Sequence, residues 1–479
     1  MLKVYNTLTK QKQEFIPIEP KKVMFYHCGP TVYWVQHIGN LRGMICADLI
    51  RRSLIYMGYE VKFVRNYTDV GHLTGDNIGD ADTGEDRMEK AAKREGLDPD
   101  KIANKYIELF NIDLEKLNIL QPTYTPRATE FIQQMIDLVQ VLLDKGFAYA
   151  TPKAIYFDVT KKADYNKLNR QNLEENRQGS GTGDVSDPAK KHPFDFALWF
   201  FKTGVHSNAL QTWESPFSST EVEKGRGFPG WHIECSAMSS SLLADTIDLH
   251  MGGIEHIAIH HTNEIAQSES ASGKEFVHYW LHNEHLTVDD QKMSKSLGNV
   301  YAVSDIEAKG YDPLALRYFF LQAHYRSKQN FTWEALDAAK QAFSKLKKEV
   351  LNWKKAESSS NTAENEVETL KNEFLRALED DFNIPQALAV VWKTNNFKAL
   401  SDQEKLNLVL DFDKVLGLKL SEVKENQVEI PEAVKKLLEE RQLARVNKDW
   451  AKSDQIREQI KKEFGMLVED SGEGQKIIG

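Results

Sequence analysis

The sequence is poor in cysteine, with only Cys28, Cys46 and Cys235 in a chain of 479 residues. Three thiols so far apart cannot build a disulfide framework in a chain this long, which excludes the small, stapled secreted folds. They read as reduced thiols, available to a metal. Long apolar runs are also missing, and the opening Met1-Leu2-Lys3-Val4-Tyr5 has no signal-like stretch, so no membrane span is expected and the cytosol is the expected compartment. There is no excess of positive charge. With 61 Lys+Arg against 71 Asp+Glu the formal net charge is -10, so any contact with nucleic acid must be local. The rest, 41% hydrophobic and 28% charged, is ordinary globular composition. A chain of this length is expected to fold as roughly two to four domains.

The segments Lys21-Lys22-Val23-Met24-Phe25-Tyr26 and Tyr59-Glu60-Val61-Lys62-Phe63-Val64 read as strands, and Gly43 to Met57 between them carries Ile45, Leu49 and Leu54 at helical spacing. Strand, helix, strand within about 40 residues predicts a parallel α/β sheet with ligands at the carboxyl ends of its strands. Residues 100–150 read as helical. Arg177 to Asp184, rich in glycine, reads as a polar loop in an inserted segment. After Lys309 the pattern is almost wholly helical, with a linker expected at Ser358-Ser359-Ser360-Asn361-Thr362 and a break at Asp381-Phe382-Asn383-Ile384-Pro385. Residues 435–462 hold nine Lys or Arg against five Asp or Glu. Arg441, Arg445, Lys448 and Lys452 fall at helical spacing there, which predicts a basic stripe suited to phosphates.

Two strings carry nucleotide chemistry. His37-Ile38-Gly39-Asn40 follows Cys28-Gly29-Pro30-Thr31-Val32-Tyr33 at a predicted helix start, where the helix end, His37 and Asn40 offer donors to anionic oxygens. Lys292-Met293-Ser294-Lys295-Ser296 puts two cations and two hydroxyls in one short loop, a chemistry fit for a leaving pyrophosphate. Each alone is a weak signal; together on an α/β sheet they are specific, and the chain resembles the class I aminoacyl-tRNA synthetases. Asn40 stands where the class signature has a second histidine.

Two cysteines, Cys28 and Cys235, with a histidine and a carboxylate make a donor set that suits Zn²⁺. His260 and Glu264, four apart, fall on one face of a helix. His232, His250, His256 and His261 are near neighbours of His260, and Cys46 reads as a small buried hydrophobe. The strings Cys28 to Asn40, Gly230 to Met238, His260 to Ser268 and Lys292 to Asn299, in that order, together with Asp381-Phe382-Asn383 and Lys448-Asp449-Trp450-Ala451, resemble the cysteinyl-tRNA synthetases over nearly the whole chain. The resemblance implies zinc, one per chain, on Cys28, Cys235, His260 and Glu264. It implies a cysteine pocket lined by Gly29, Thr68 and Trp231, and ATP with Mg²⁺ bound by Thr31, His37, Gly39, Asn40 and Lys295. His37, Asn40, Lys292 and Lys295 are the catalytic set. The implied partners are L-cysteine, ATP and tRNA(Cys), acting on a monomer.

The implied architecture is a Rossmann-like α/β catalytic domain with a parallel sheet, split between residues 1–120 and 206–300 by a connective insertion at 121–205. A stem-contact helical region (301–357), a helical tRNA-binding bundle (358–425) and a small C-terminal anticodon-binding domain (426–479) follow. The chain departs from the family at Leu73 to Asp86, at Gly227-Phe228, at Met251 and at His256-Ile257-Ala258-Ile259. Two other readings compete: a ligase passing cysteine to a small amine, which would resemble only residues 1–340, and an inactive RNA-binding relative. The segment from Leu370 to Gly479 speaks against the first. The intact lysine and ligand positions speak against the second.

Overall fold

A computed structural model describes residues 1–71, 87–170, 187–294, 297–356, 363–424, 431–471 and 474–478. The expected loop at 177–184, the linker at 358–362, the segment 73–86 and Lys295 lie outside the described residues. The chain forms two compact units, Met1–Ser421 and Glu422–Gly479. Among the described residues no helix is long and apolar enough to cross a membrane.

The larger unit opens with the hairpin β1 (Lys3–Asn6) and β2 (Gln11–Glu14), then β3 (Lys22–His27), α1 (Ile38–Tyr56) and β4 (Glu60–Arg65). Three helices follow, α2 (Arg87–Glu95), α3 (Pro99–Lys116) and α4 (Ile132–Asp144), before the strands β5 (Ala148–Ala150), β6 (Ala154–Phe157), β7 (Phe196–Phe201) and β8 (Gly227–Pro229). The chain then alternates α5 (Trp231–Leu242), β9 (Ile247–Gly253), α6 (His260–Ser272) and β10 (Val277–Asn283). Beyond β11 (Leu286–Val288) and β12 (Gln291–Lys292) come α7 (Val303–Ala308), α8 (Pro313–Leu321), β13 (Gln329–Phe331), α9 (Trp333–Lys355), α10 (Glu364–Glu379), α11 (Ile384–Asn395) and α12 (Asp402–Leu416). The smaller unit is α13 (Glu432–Val446), α14 (Trp450–Phe464) and the hairpin β14 (Leu467–Ser471) with β15 (Gly474–Ile478).

The central sheet is parallel, in the order β10-β9-β3-β4. Its strands are apolar on both faces, and the period of two sorts them. Phe25, Phe63, Leu249 and Leu281 join Ala47, Ile50 and Leu54 of α1 in one core. Tyr26, Val64 and Trp280 turn to the other face and pack with Ile233 of α5 and Ile265 of α6. Cys46 is buried in the α1 core, as a small hydrophobe should be. The strands β5-β6-β7-β8 form a separate antiparallel sheet.

The turn at Asp381-Phe382 leaves helical geometry through positive φ at both residues, 61° and 54°. Asp381 repays this strain. Its carboxylate accepts from the Tyr5 amide, Tyr325 and Arg326, tying the bundle to β1 and to the loop after α8.

The region after Lys309 is almost wholly helical, as expected, apart from β13, which pairs parallel with β11, and the hairpin β14–β15. One expectation needs correction. The basic residues 441–452 do not form one stripe: a turn at Asn447–Asp449 separates α13 from α14, and Lys448 sits in it with φ 60°. Arg441 is buried against Asp470 at 2.8 Å, and Arg445 also pairs with Asp470. Those two guanidiniums are committed to holding the terminal hairpin.

Candidate functional site

The site forms where β3 and α1 meet, at the carboxyl end of the sheet. Residues 28–31 leave β3 extended and run beside 66–68, with the Val32 amide donating to the Thr68 carbonyl and the Thr68 amide to the Pro30 carbonyl, both at 3.1 Å. Gly29 is required there, since a Cβ would overlap the Asn66 carbonyl oxygen. His37 caps α1, accepting from the Asn40 amide at 3.2 Å. This explains why the helix starts at Ile38, five residues before the apolar spacing announced it. Asn40 donates to Gln36 at 2.6 Å. Gly39 leaves its missing Cβ to the methyl end of Met293, so the two nucleotide motifs touch.

A pocket of about 280 Å³ brings together most of the predicted residues: Cys28, Gly29, Thr31, His37, Gly39, Asn40, Thr68, Trp231, Cys235 and His260 line it. Glu264 lies beneath the wall, fully buried. Lys292 is exposed on β12 and not on the wall. Its carbonyl accepts from Asn299, whose side-chain oxygen accepts from the Ser294 amide, so the described part of that loop is braced internally.

Donor atoms of Cys28, Cys235, His260 and Glu264 all lie within 4.8 Å of one another, and all four residues are buried. The helix spacing delivers the expected pairing, His260 Nε2 to Glu264 Oε1 at 2.9 Å. Burial, then the neighbouring Cys235, pushes the Cys28 thiol far up; burial and Cys235 do the same to the Glu264 carboxyl. Such a concentration of donors that resist ionisation is the setting in which a cation restores the charged forms. Glu264 Oε2 is buried and has no hydrogen-bond partner among the described residues, as a ligand oxygen awaiting an ion should be. The cluster can hold a metal.

Sequence reasoning missed the braces around it. Glu234, in the quoted string 230–238 but given no role, is fully buried and accepts from Thr68 Oγ1 at 2.9 Å. Asn66 accepts from the Gly29 amide at 2.8 Å and donates to Thr68 at 3.3 Å. His232 holds His260 through an Nδ1–Nδ1 contact of 3.0 Å, leaving Nε2 for Glu264. Trp231 lies over His260 with ring centres 4.1 Å apart. Of these, only the buried carboxylate had a signal in sequence, an acid within an apolar helical string.

Comparison with known proteins agrees with this geometry. Residues 14–341 match the family of tRNA synthetases class I (C) catalytic domain, and residues 427–477 match the Cysteinyl-tRNA ligase anticodon binding domain. A cysteine–tRNA ligase of Treponema denticola is 40% identical, covering 98% of both chains. Cysteine–tRNA ligase 1 of Burkholderia lata is 42% identical over all of this chain and 97% of its own. Among solved structures, Mycobacterium tuberculosis methionyl-tRNA synthetase in complex with methionyl-adenylate superposes with a TM-score of 0.55 at 15% identity, covering 83% of this chain and 90% of that one. The ternary complex of Agrobacterium radiobacter LeuRS with tRNA and LeuAMS gives 0.59 at 12% identity, covering 86% and 85%; these two show the shared fold alone. A parallel sheet with the His37–Asn40 motif at its carboxyl end, a buried Cys/His/Glu cluster and near full-length relatives place this chain in the cysteine–tRNA ligase family of class I tRNA synthetases.

Proposed function

We propose that the chain activates L-cysteine with ATP and Mg²⁺ and passes it to the 3′-terminal adenosine of tRNA(Cys). The observation that carries this reading is the convergence of Cys28, Cys235, His260 and Glu264 at the floor of the pocket that also holds His37, Gly39 and Asn40. In the first step the cysteine carboxylate attacks the α-phosphorus of ATP and pyrophosphate leaves. In the second a ribose hydroxyl, the 2′-OH in this class, attacks the adenylate carbonyl and AMP leaves. Neither step needs a protein nucleophile, so the residues act by positioning and by charge.

Gly29, Thr68 and Trp231 hold the amino acid. Thr31, Gly39, His37 and Asn40 hold ATP, with His37 and Asn40 turned to its phosphates. Lys292 and Lys295 offset charge that grows on pyrophosphate, the role of Lys295 resting on its place in the sequence. One zinc per chain, held by the four buried donors, supplies a Lewis acid that prefers a thiolate to an alcohol.

The domain limits read from the sequence are kept as part of this proposal: catalytic halves at 1–120 and 206–300, insertion at 121–205, stem-contact region at 301–357, bundle at 358–425 and anticodon-binding domain at 426–479. The reading also includes a cytosolic monomer. Its test is amino-acid-dependent ATP–pyrophosphate exchange across all twenty amino acids. Exchange driven by cysteine is the expected result, and exchange driven by another amino acid would overturn it.

A further inference from the structure

Cys28 and Glu264 belong to two donor clusters. Behind the group that faces the pocket they also meet His250 on β9 and His261 on α6, and the four donor atoms of this second set again lie within 4.8 Å of one another. Cys28 Sγ is 3.5 Å from His250 Nε2 and 3.3 Å from His261 Nε2. Glu264 places Oε2 3.6 Å from His250 Nε2, and Oε1 3.9 Å from His261 Nε2 and 4.0 Å from Cys28 Sγ. A tetrahedral ion with bonds of ~2.0–2.3 Å spaces its ligand atoms about 3.3–3.8 Å apart. Three of these separations, 3.3, 3.5 and 3.6 Å, fall in that range and the two to Glu264 Oε1, 3.9 and 4.0 Å, lie just beyond it, so small side-chain shifts would bring the donors onto one zinc-sized ion. The carboxylate and imidazole are too far apart to satisfy one another, and Glu264 Oε2 and His250 Nδ1 have no hydrogen-bond partner among the described residues.

On the His261 side, support around this second set is built as metal sites need it. His261 Nδ1 contacts His282 Nε2 at 2.7 Å and His282 Nδ1 contacts Thr7 Oγ1 at 2.8 Å, which fixes the ring with Nε2 toward Cys28. The two sets differ in access. Cys28, Cys235 and His260 line the pocket, whereas His250 and His261 are fully buried and absent from its wall. They also differ in charge. One thiolate and one carboxylate with two neutral imidazoles cancel a divalent cation, a balance that full burial favours, while a second thiolate leaves the pocket-facing set negative.

We propose that Cys28, His250, His261 and Glu264 form a second, occluded seat for a zinc-class divalent cation, taken in place of the pocket-facing seat. The inference deepens the zinc reading above and rests on it. Because the seats share Cys28 and Glu264, one ion fills one seat at a time. An ion in the rear seat has four protein donors and no open face, so it steadies the fold without meeting substrate. Which seat is filled sets whether the pocket presents a metal to the cysteine thiolate.

Cobalt(II) uptake by the full-length chain tests this, since its visible bands report tetrahedral geometry and its near-ultraviolet band reports thiolate ligands. In Cys235→Ala the expected result is about one cobalt per chain, a tetrahedral spectrum with roughly half the wild-type thiolate band, and no response to added cysteine. Adding His261→Ala should abolish uptake. Failure of a folded Cys235→Ala chain to bind cobalt, or retention of cobalt by the double variant, would overturn the rear seat alone. If Cys235→Ala does not fold, His260→Ala with and without His261→Ala gives the same decision. A folded wild-type chain that takes up neither zinc nor cobalt would sink both seats and the reading beneath them.

Discussion

Gly29 and Asn66 are joined at a point with no spare room: the Gly29 amide donates to the Asn66 side-chain oxygen at 2.8 Å, and the Asn66 carbonyl oxygen fills the place a Cβ would take on Gly29. Because the obstacle is backbone, Gly29→Ala must part the segments 28–31 and 66–68. Overpacking of this kind costs about 1–3 kcal/mol. The variant is expected to unfold at lower temperature and to bind cysteine much more weakly, since Cys28 and Thr68 flank the strained contact. Thermal unfolding and the cysteine KM in pyrophosphate exchange check this; an unchanged KM would show that the contact does not shape the pocket.

A second expected outcome concerns the buried charges that tie α1 to α8 and α12. Arg317 donates to Asp48 at 2.7 Å, and to the Leu416 and Leu117 carbonyls, while Arg52 also reaches Asp48 at 2.8 Å. Both Asp48 and Arg317 are almost wholly buried. Asp48→Ala strands two guanidiniums in the interior, and a loss of about 3–5 kcal/mol is expected. Arg317→Met, which removes a cation as well, should cost less. Urea unfolding of the two variants gives the ranking; equal losses would argue against the burial of uncompensated charge as the cause.

Asp113 gives the pH dependence. Burial pushes its carboxyl up to about 6, with Lys116 pulling down and Glu307 pushing up more weakly. An acid raised in the fold keeps its proton longer than the unfolded chain does. Its contribution is thus full below about pH 4 and is lost as pH rises toward 6. Asp113→Asn should therefore melt higher than the parent at pH 7–8, by roughly 1–2 °C in a unit this large, with the gap closing toward pH 4. Melting curves at both ends of that range decide it, and a gap of constant size would contradict the cause named.

In the smaller unit Asp470 is central: its carboxyl is held well below the usual range, chiefly by hydrogen bonding to Arg441, which with Arg445 outweighs the opposing cost of burial. A depressed acid stabilises above its unfolded pKa, so the contribution is lost only in strong acid. Asp470→Asn is expected to cost about 1–3 kcal/mol, tempered by the partial exposure of Asp470. Faster amide exchange in residues 432–470, reduced tRNA charging and unchanged pyrophosphate exchange are the expected signs. Reduced pyrophosphate exchange would mean that this unit also serves activation.

Much of this was legible because single side chains bear the signal. The apolar run Val23-Met24-Phe25-Tyr26 marks a strand buried on both faces, the four-residue step from His260 to Glu264 marks a shared helix face, and both nucleotide strings are local. Long-range partners were not legible. Nothing in the spacing of Arg441 and Arg445 says that Asp470 on a later hairpin will claim both, and nothing local to Thr68 announces Glu234. The strand β13 is three residues long and exists only by pairing with β11, below the length at which periodicity carries information.

The central claim is that selection for cysteine is made by a metal on the buried donors and not by the shape of the pocket, which for one atom of difference is worth only about 1–3 kcal/mol. The most direct measurement compares cysteine and serine in pyrophosphate exchange for the zinc-loaded chain and for the same chain after chelation, with metal content determined for each. Strong preference for cysteine with zinc, collapsing toward parity without it, is the predicted result. A metal-free chain that still prefers cysteine by orders of magnitude would contradict the account.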